Sequence, residues 1–391
     1  MSRALAARPL TELRAAAAVK SRVHARARPP AHTCPRFFCT IFAIIGVSTA
    51  TFFAALFVRD AAAHPPSLRE EAQTAPQPDE GELVRAIVDA ARSNATHVIP
   101  RVVRDALERL SIPEFVDVAL ESPYITVELP KGCGRNASVL AFGGTSDFWI
   151  GSENGGWEPA TFKVLTAVLT ARPGVVFDFG AWIGPTLIAS ANLPSTRVFG
   201  MEVDPVAFTQ LALNVAANAH IAEKTQVFFV GISESVSERV IVMNTCAEGI
   251  GDSCSSMHTA GGRDDLLKLP VQTVPLPAFV AAVGVRAEDI SLIKVDAEGA
   301  EIFILPTLVP WLRAWPGGVP KPSFWLSLHR FAVAIPWFDR VTPFMKLFKY
   351  GYIEKGHGLE LAWSSLDTAA GPRKECAVVC TYLLSDFPVS V

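Results

Sequence analysis

From about residue 123 onward, short runs of consecutive apolar residues alternate with longer stretches whose apolar positions recur every three to four residues. The runs "YITVELP" and "SVLAFGG" predict strands, and "WEPATFKVLTAVLTA" predicts a helix ended by "RPG". A regular alternation follows: strand "VVFDF", helix "PTLIASANL", strand "RVFGMEV", helix "PVAFTQLALNVAANA", strand "TQVFFVGI". An inserted stretch runs from "RVIVMN" to "VQTVPL". Helix "PAFVAAVG", strand "SLIKVD", helix "AEIFILPTLVPWLRAW" and strand "SFWLSLH" come next. Helix "VTPFMKLFKYG" and the strands "YIEKG" and "ECAVVCTYLL" close the chain. Apolar strands between amphipathic helices predict an α/β fold, a doubly wound, mostly parallel sheet covered on both faces. The final strand pair, with its short connection, predicts an antiparallel edge. Ahead of this domain, residues 83–122 carry helical spacing (Leu83, Ile87, Ala90; Val102, Val103, Ala106, Leu110). They predict one or two helices, broken near Pro100, that pack on the main domain.

The N-terminal pattern is different. Residues 1–36 are rich in Ala and Arg, with Glu12 the only acid, and residues 37–58 ("FFCTIFAIIGVSTATFFAALFV") carry no charge. As a helix the latter would rise ~33 Å, enough to cross a ~30 Å hydrocarbon layer. The Arg excess before it predicts a cytosolic N-terminus and a type II signal anchor. Residues 59–82 would then form a flexible Pro/Ala-rich stem, with the body in the lumen of the ER or Golgi. The sequons Asn94-Ala95-Thr96 and Asn136-Ala137-Ser138 agree with a lumenal body. The competing reading of the Arg-rich, acid-poor flank is a transit peptide for a mitochondrion or plastid.

Composition narrows the partners. The 391 residues are 50% hydrophobic and 19% charged, with a net charge of −3, which gives no sign of a nucleic-acid partner. Among the seven cysteines no spacing resembles a zinc site, and no metal is expected. Cys376 and Cys380, four apart on a strand, stand roughly 13 Å apart on one face, too far to bridge each other. Buried free thiols are expected, with a Cys246–Cys254 disulfide as the alternative.

In doubly wound sheets, ligands sit beyond the carboxyl ends of the strands. Four polar residues close four predicted strands: Asp178, Glu202, Asp296 and His329. Asp178 opens "DFGAWIG", where Gly180 permits an unusual backbone conformation and Gly184 permits close approach. An acid at such a place is either a helix cap or part of a ligand seat. Glu202, 24 residues later at the next strand end, suits the hydroxyls of a ribose. Trp182 stands where a dinucleotide fingerprint needs a second glycine. A nicotinamide oxidoreductase is therefore disfavoured, and an adenosyl cofactor without a diphosphate fits better.

Three segments, "VVFDFGAWIGPTLIAS", "VFGMEVDP" and "ISLIKVDAEGAEIFIL", resemble the signatures of FkbM-type S-adenosylmethionine-dependent methyltransferases. "GWEPATFKVLTAVL" and "GDSCSSMH" are also similar, so the resemblance covers roughly residues 120–387. It implies the seven-stranded, Rossmann-like class I methyltransferase fold and, mostly, methylation of hydroxyl oxygens. It also implies S-adenosylmethionine as cofactor. Asp178, Gly180 and Gly184 would shape the methionine pocket, with Asp178 near the ammonium, and Glu202 would hold the ribose. Ser233 would meet the adenine edge unless it is simply a turn serine. Glu158 lies where the family tends to carry an acid, and it could equally cap its helix. Trp182 replaces the usual Asn, Val203-Asp204 the usual Pro-Asn, and His329 falls where many members carry Glu or His.

Within "KVDAEGAE", Gly299 permits a tight turn, and helix-start acids at Glu298 and Glu301 suit the dipole. Asp296 and Glu298 would face the crevice where a sulfonium and its acceptor meet. His329 is the nominated base for the hydroxyl proton, since a neutral imidazole can accept it, with Asp296 as the runner-up. His357, in a predicted loop, is a further candidate for substrate contact. The expected function is O-methylation of a hydroxyl on a glycan, lipid or small molecule. The alternative is a non-catalytic methyltransferase-fold protein that binds a partner or ligand.

Overall fold

The computed structural model describes residues 79–93, 99–130, 133, 136–142, 144–153, 157–193, 197–242, 268–329, 337–355, 362–370 and 379–389. The expected anchor at 37–58, most of the stem, Cys246, Cys254, Cys376 and His357 lie outside these residues. Among the described residues, no helix is long and apolar enough to cross a membrane. One compact unit runs from Val84 to Val391, and a second comprises the chain up to Leu83.

Helices α1 (Glu80–Ala91), α2 (Arg101–Arg109) and α3 (Phe115–Glu121) occupy the predicted helical extension, and α2 begins directly after Pro100. Next come the hairpin β2 (Tyr124–Val127) and β3 (Ala137–Leu140), then α4 (Gly144–Glu153) and α5 (Pro159–Ala171). Helix α4, in "GTSDFWIGSE", has no counterpart in the sequence expectation. The central units are β4 (Val175–Phe179), α6 (Pro185–Asn192), β5 (Arg197–Met201), α7 (Pro205–Ala216), the short α8 (Ala219–Ala222) and β6 (Thr225–Phe228). The insertion starts with β7 (Gly231–Ile232) and β8 (Ser237–Val242) and returns as β9 (Lys268–Val274). Helix α9 (Leu276–Ala282), β10 (Ile290–Val295), α10 (Glu301–Arg313) and β11 (Ser323–His329) follow. The chain ends with α11 (Trp337–Met345), β12 (Tyr350–Lys355), β13 (Ala362–Leu366) and β14 (Val379–Ser385).

The two-residue strand β1 (Arg92–Ser93) completes a nine-stranded sheet of order β1-β6-β5-β4-β10-β11-β14-β12-β13. Strands β6, β5, β4, β10 and β11 pair in parallel, whereas β14 is antiparallel to both neighbours. The seven expected strands are therefore present, with β1 and β13 added at the edges, consistent with the Rossmann-like methyltransferase fold that the motifs imply. The closing strands differ from expectation in one respect. The last strand inserts between β11 and β12, so the edge belongs to β13.

Strand alternation divides the core. Val175, Phe177 and Phe179 join one cluster with Phe279 of α9 and Leu305 of α10, while Val176 is buried on the other face. A row of phenylalanines crosses three strands: Phe177 stacks on Phe199 at 5.1 Å, and Phe199 on Phe228 at 6.4 Å. Such cross-strand pairs fix register, and here they place Asp178 opposite Gly200. Two asparagines of α7 tie in the hairpin. Asn214 Oδ1 accepts from Leu140 N (2.7 Å) and Asn218 Oδ1 from Ser138 N (2.8 Å). Asn214 Nδ2 also donates to Ile183 O at 2.9 Å, holding the turn that follows β4.

Cys133 is a free, buried thiol, as expected. Cys380, in contrast to the expectation of free thiols, is disulfide-bonded.

Candidate functional site at the carboxyl edge of the sheet

The strand order reverses between β4 and β10, and the tips of both strands carry charged residues. The turn after β4 is pinned to the next strand: Gly180 N and Ala181 N donate to Met201 O at 3.1 and 3.0 Å. Gly180 has φ +74°, and a Cβ there would fall inside the carbonyl oxygen of Asp296. Its missing side chain thus lets the β4 and β10 tips touch. Gly184, at φ +101°, is the N-cap of α6, and a Cβ would press on Leu211 of α7 at 2.8 Å. The close approach foreseen for Gly184 is therefore made by a helix side chain.

Asp178 is buried, receives the Thr186 hydroxyl at 2.6 Å, and pairs with Lys294 Nζ at 3.0 Å. Lys294 also donates to Gly180 O (3.0 Å) and lies 3.4 Å from Asp296 Oδ2. Burial pulls the ammonium down, but the charges of Asp178 and Asp296 outweigh it, and the net shift is upward. Asp178 is thus committed to an internal ion pair. Lys294 was passed over in the sequence, although one charged residue in the apolar run "SLIKV" was the available signal.

Glu202, at the β5 tip, accepts three backbone N–H groups: Trp182 (2.8 Å), Val203 (2.7 Å) and Asp204 (2.8 Å). Burial raises its carboxyl most, the three bonds and the Asp204 charge partly offset or add to this, and the result is pushed up to about 7. Asp204, rather than Glu202, caps α7 by accepting from Val206 and Ala207. Trp182 has φ +49°, and its ring packs edge-on against Phe148 at 4.5 Å.

The other two tips meet at His329. Its Nδ1 lies 3.0 Å from Glu301 Oε1, and its Nε2 lies 3.7 Å from Asp296 Oδ1 and 3.6 Å from Glu298 Oε1. Glu301, wholly buried, also accepts from Ala297 N (2.8 Å) and Gly299 N (3.0 Å). Its position therefore does more than suit a helix dipole: it ties the "DAEGAE" turn to the imidazole. Burial lowers the His329 pKa, but the Glu301 hydrogen bond and the charges of Glu301, Asp296 and Glu298 together push it up to about 10. With no ion beside it, the ring therefore favours its protonated form. The two nominated bases, His329 and Asp296, are thus brought side by side, with Asp296 22% exposed at its side chain. Single ligand atoms of Asp296, Glu298 and His329 lie within 4.8 Å of one another.

The remaining candidates lie further out. Ser233 follows β7, in the separate β7-β9-β8 sheet, where its hydroxyl meets Thr273 Oγ1 (2.7 Å) and Ser235 O (2.7 Å). The turn reading explains those bonds. Glu158 occupies the N-cap of α5 at φ +37°, makes no side-chain bond to the helix backbone, and accepts from Thr161 Oγ1 at 2.9 Å. Its charge is felt at Lys294. Among the described residues, four non-glycine residues hold positive φ, and three of them, Glu158, Trp182 and Glu298, belong to this region. Strain of this kind costs about 1–3 kcal/mol per residue and tends to gather at functional sites.

No family model and no curated protein matches the chain. Solved structures do. The methyltransferase FkbM from Methylobacillus flagellatus KT is similar at 15% identity, over 54% of this chain and 43% of that one, with a TM-score of 0.32. The chain thus spans less than half the length of that protein. Precorrin-6y C5,15-methyltransferase from Geobacter metallireducens GS-15 is similar at 14% identity over 57% and 88% of the two chains, TM-score 0.26. The hMettl16 catalytic domain, solved with a MAT2A 3'UTR hairpin, is similar at 11% identity over 81% and 96%, TM-score 0.30. Likeness at this level concerns the course of the chain and not its chemistry.

Proposed function

We propose that the protein is an S-adenosylmethionine-dependent methyltransferase acting on a hydroxyl. The observation that carries this reading is the convergence of carboxylates from the tips of β5 and β10 on the carboxyl edge, at the reversal of strand order. Open α/β sheets bind ligands at such a reversal. The donor set fits the cofactor: ionised carboxylates accept hydroxyls and favour a nearby cation. When bound, the cofactor supplies an electrophilic methyl group on a sulfonium.

The chain's own residues have distinct tasks. Glu202 holds the ribose with the acceptor capacity left by its three backbone bonds. Lys294 and Asp178 keep the two central tips in register, and Gly180 lets them touch. Asp296 and Glu298 offset the sulfonium charge, and Asp296 takes or orients the hydroxyl proton. His329, held by Glu301 through Nδ1, orients Asp296 and Glu298. A glycan or lipid-linked sugar as acceptor rests on the anchor and sequon expectations, which the exposure of Asn136 supports. Glycosidase-sensitive mobility of the expressed chain would test that placement.

Calorimetric titration of the full chain with S-adenosylmethionine and with NAD is the direct test. Binding of the first but not the second is expected, and Glu202→Gln is expected to weaken it at least about tenfold. Undiminished binding in Glu202→Gln would overturn the assignment. Binding of neither ligand would favour a methyltransferase-fold protein that works by binding a partner.

A further inference from the structure

We infer that Asp296, Glu298 and His329 form a site for one divalent cation, held by two carboxylate oxygens and the Nε2 of His329. The sequence gives no metal-ligand spacing, because the ligands come from two strand tips more than thirty positions apart. Folding brings them together: Nε2 stands 3.6 and 3.7 Å from the nearest oxygens of Glu298 and Asp296. Ligand atoms bound to one cation at ~2.1 Å stand roughly 3.0–3.6 Å apart. The widest separation, within 4.8 Å, closes by rotation of two carboxylates that are each partly exposed.

The far side of the ring supplies an independent argument. Histidines that bind metal usually give their other nitrogen to a carboxylate, which fixes the ring and its tautomer. Glu301 does this here, at 3.0 Å from Nδ1, and is itself held by two backbone N–H groups. The arrangement leaves Nε2 as the nitrogen facing both carboxylates.

Charge points the same way. Asp178 and Asp296 share the ammonium of Lys294, and Asp296, Glu298 and Glu301 gather around the ring of His329. Carboxylates gathered in a largely buried place favour a cation among them. Two oxygens and one imidazole nitrogen suit a hard or borderline divalent ion such as Mn2+. Asp296 and Glu298 keep 22% and 16% of their side chains exposed, which leaves an entry path and open coordination positions. An ion there would hold the acceptor oxygen. That role rests on the methyl-transfer reading, whereas the binding of the ion does not.

The test is titration of the EDTA-treated full chain with Mn2+, read by loss of the free-ion electron paramagnetic resonance signal. About one Mn2+ per chain is expected, displaced by Zn2+ or Mg2+. Asp296→Asn and His329→Gln should each weaken it at least about tenfold, and Glu301→Gln about ten- to hundredfold. Should those variants unfold, Glu298→Gln, on a partly exposed turn, provides the same comparison in a folded chain. Absence of Mn2+ binding, or binding indifferent to all four changes, would overturn the site and leave a protonated imidazole among carboxylates. Glu202→Gln separates the two proposals. It should keep Mn2+ binding unchanged while weakening S-adenosylmethionine at least about tenfold, so either ligand can fail without the other.

Discussion

The ammonium of Lys294 lies 3.0 Å from Asp178 Oδ1, with both side chains nearly sealed from solvent, so adjacent central strands are joined by a buried ion pair. Removing one partner of such a pair leaves the other charge stranded, at a cost of about 3–5 kcal/mol. Lys294→Met should reach that range in urea denaturation, since it strands Asp178. Asp178→Asn should fall below it, because Asp296 remains near the ammonium. The double change Asp178→Asn with Lys294→Met should cost less than the sum of the two.

On the methyl-transfer reading, Glu202 makes cofactor affinity depend on pH. Its carboxyl is pushed up to about 7 by burial, and only the ionised form has full capacity to accept ribose hydroxyls. Affinity for S-adenosylmethionine should therefore rise as pH increases through about 7 and level off above it. Glu202→Gln should weaken binding roughly ten- to hundredfold, equivalent to ~1.5–3 kcal/mol for a charge-assisted bond, and abolish the slope. Calorimetry from pH 5.5 to 8.5 reads both effects. Stability follows the opposite sense. An acid with a raised folded pKa binds more protons folded than unfolded, so its contribution declines between about 4.5 and 7 as pH rises.

For His329 the window lies higher. Its pKa rises from 6.5 to about 10 on folding, so the metal-free chain binds an extra proton between those values. The stability it confers should be complete below about 6.5 and should be lost as pH climbs to about 10. Urea midpoints in the presence of chelator should show that decline in the wild type. His329→Gln should flatten it.

Two glycines with positive φ make a controlled pair. At Gly284 (φ +65°) a Cβ would meet open space, whereas at Gly180 (φ +74°) it would meet the Asp296 carbonyl. Gly284→Ala should cost about 1–2 kcal/mol, the left-handed penalty alone. Gly180→Ala should cost clearly more and should weaken S-adenosylmethionine binding, because the β4 turn has to retreat. Thermal melts and calorimetry together distinguish backbone strain from loss of the seat.

Much of this framework was readable along the chain because burial imposes a pattern. A parallel strand covered on both faces reads as an unbroken apolar run, so "VVFDF", "SLIKVD" and "SFWLSLH" announced themselves, with Asp178, Asp296 and His329 at or near their ends. What a linear pattern does not carry is pairing in space. Lys294 sits inside one of those runs, and nothing local says that Asp178 will neutralise it. Glu301 looks like an ordinary helix-start acid until β11 brings His329 beside it. The surroundings of Ser233 were not readable for a related reason. "FFVGIS" is apolar throughout, but the chain leaves the main sheet after Phe228 and starts a second sheet at Gly231. Strand β13 and the insertion of β14 between β11 and β12 depend on edge pairing, which leaves little local mark.

The missing side chain at Gly180 has a mechanical consequence. With the backbone after β4 resting on the carbonyl of Asp296, the turns after β4 and β10 form one surface, which on the methyl-transfer reading lies under both the nucleoside and the methyl acceptor. Neither can tilt without carrying the other. On the methyl-transfer reading, any change in acceptor preference has to arise elsewhere along the carboxyl edge than at this contact.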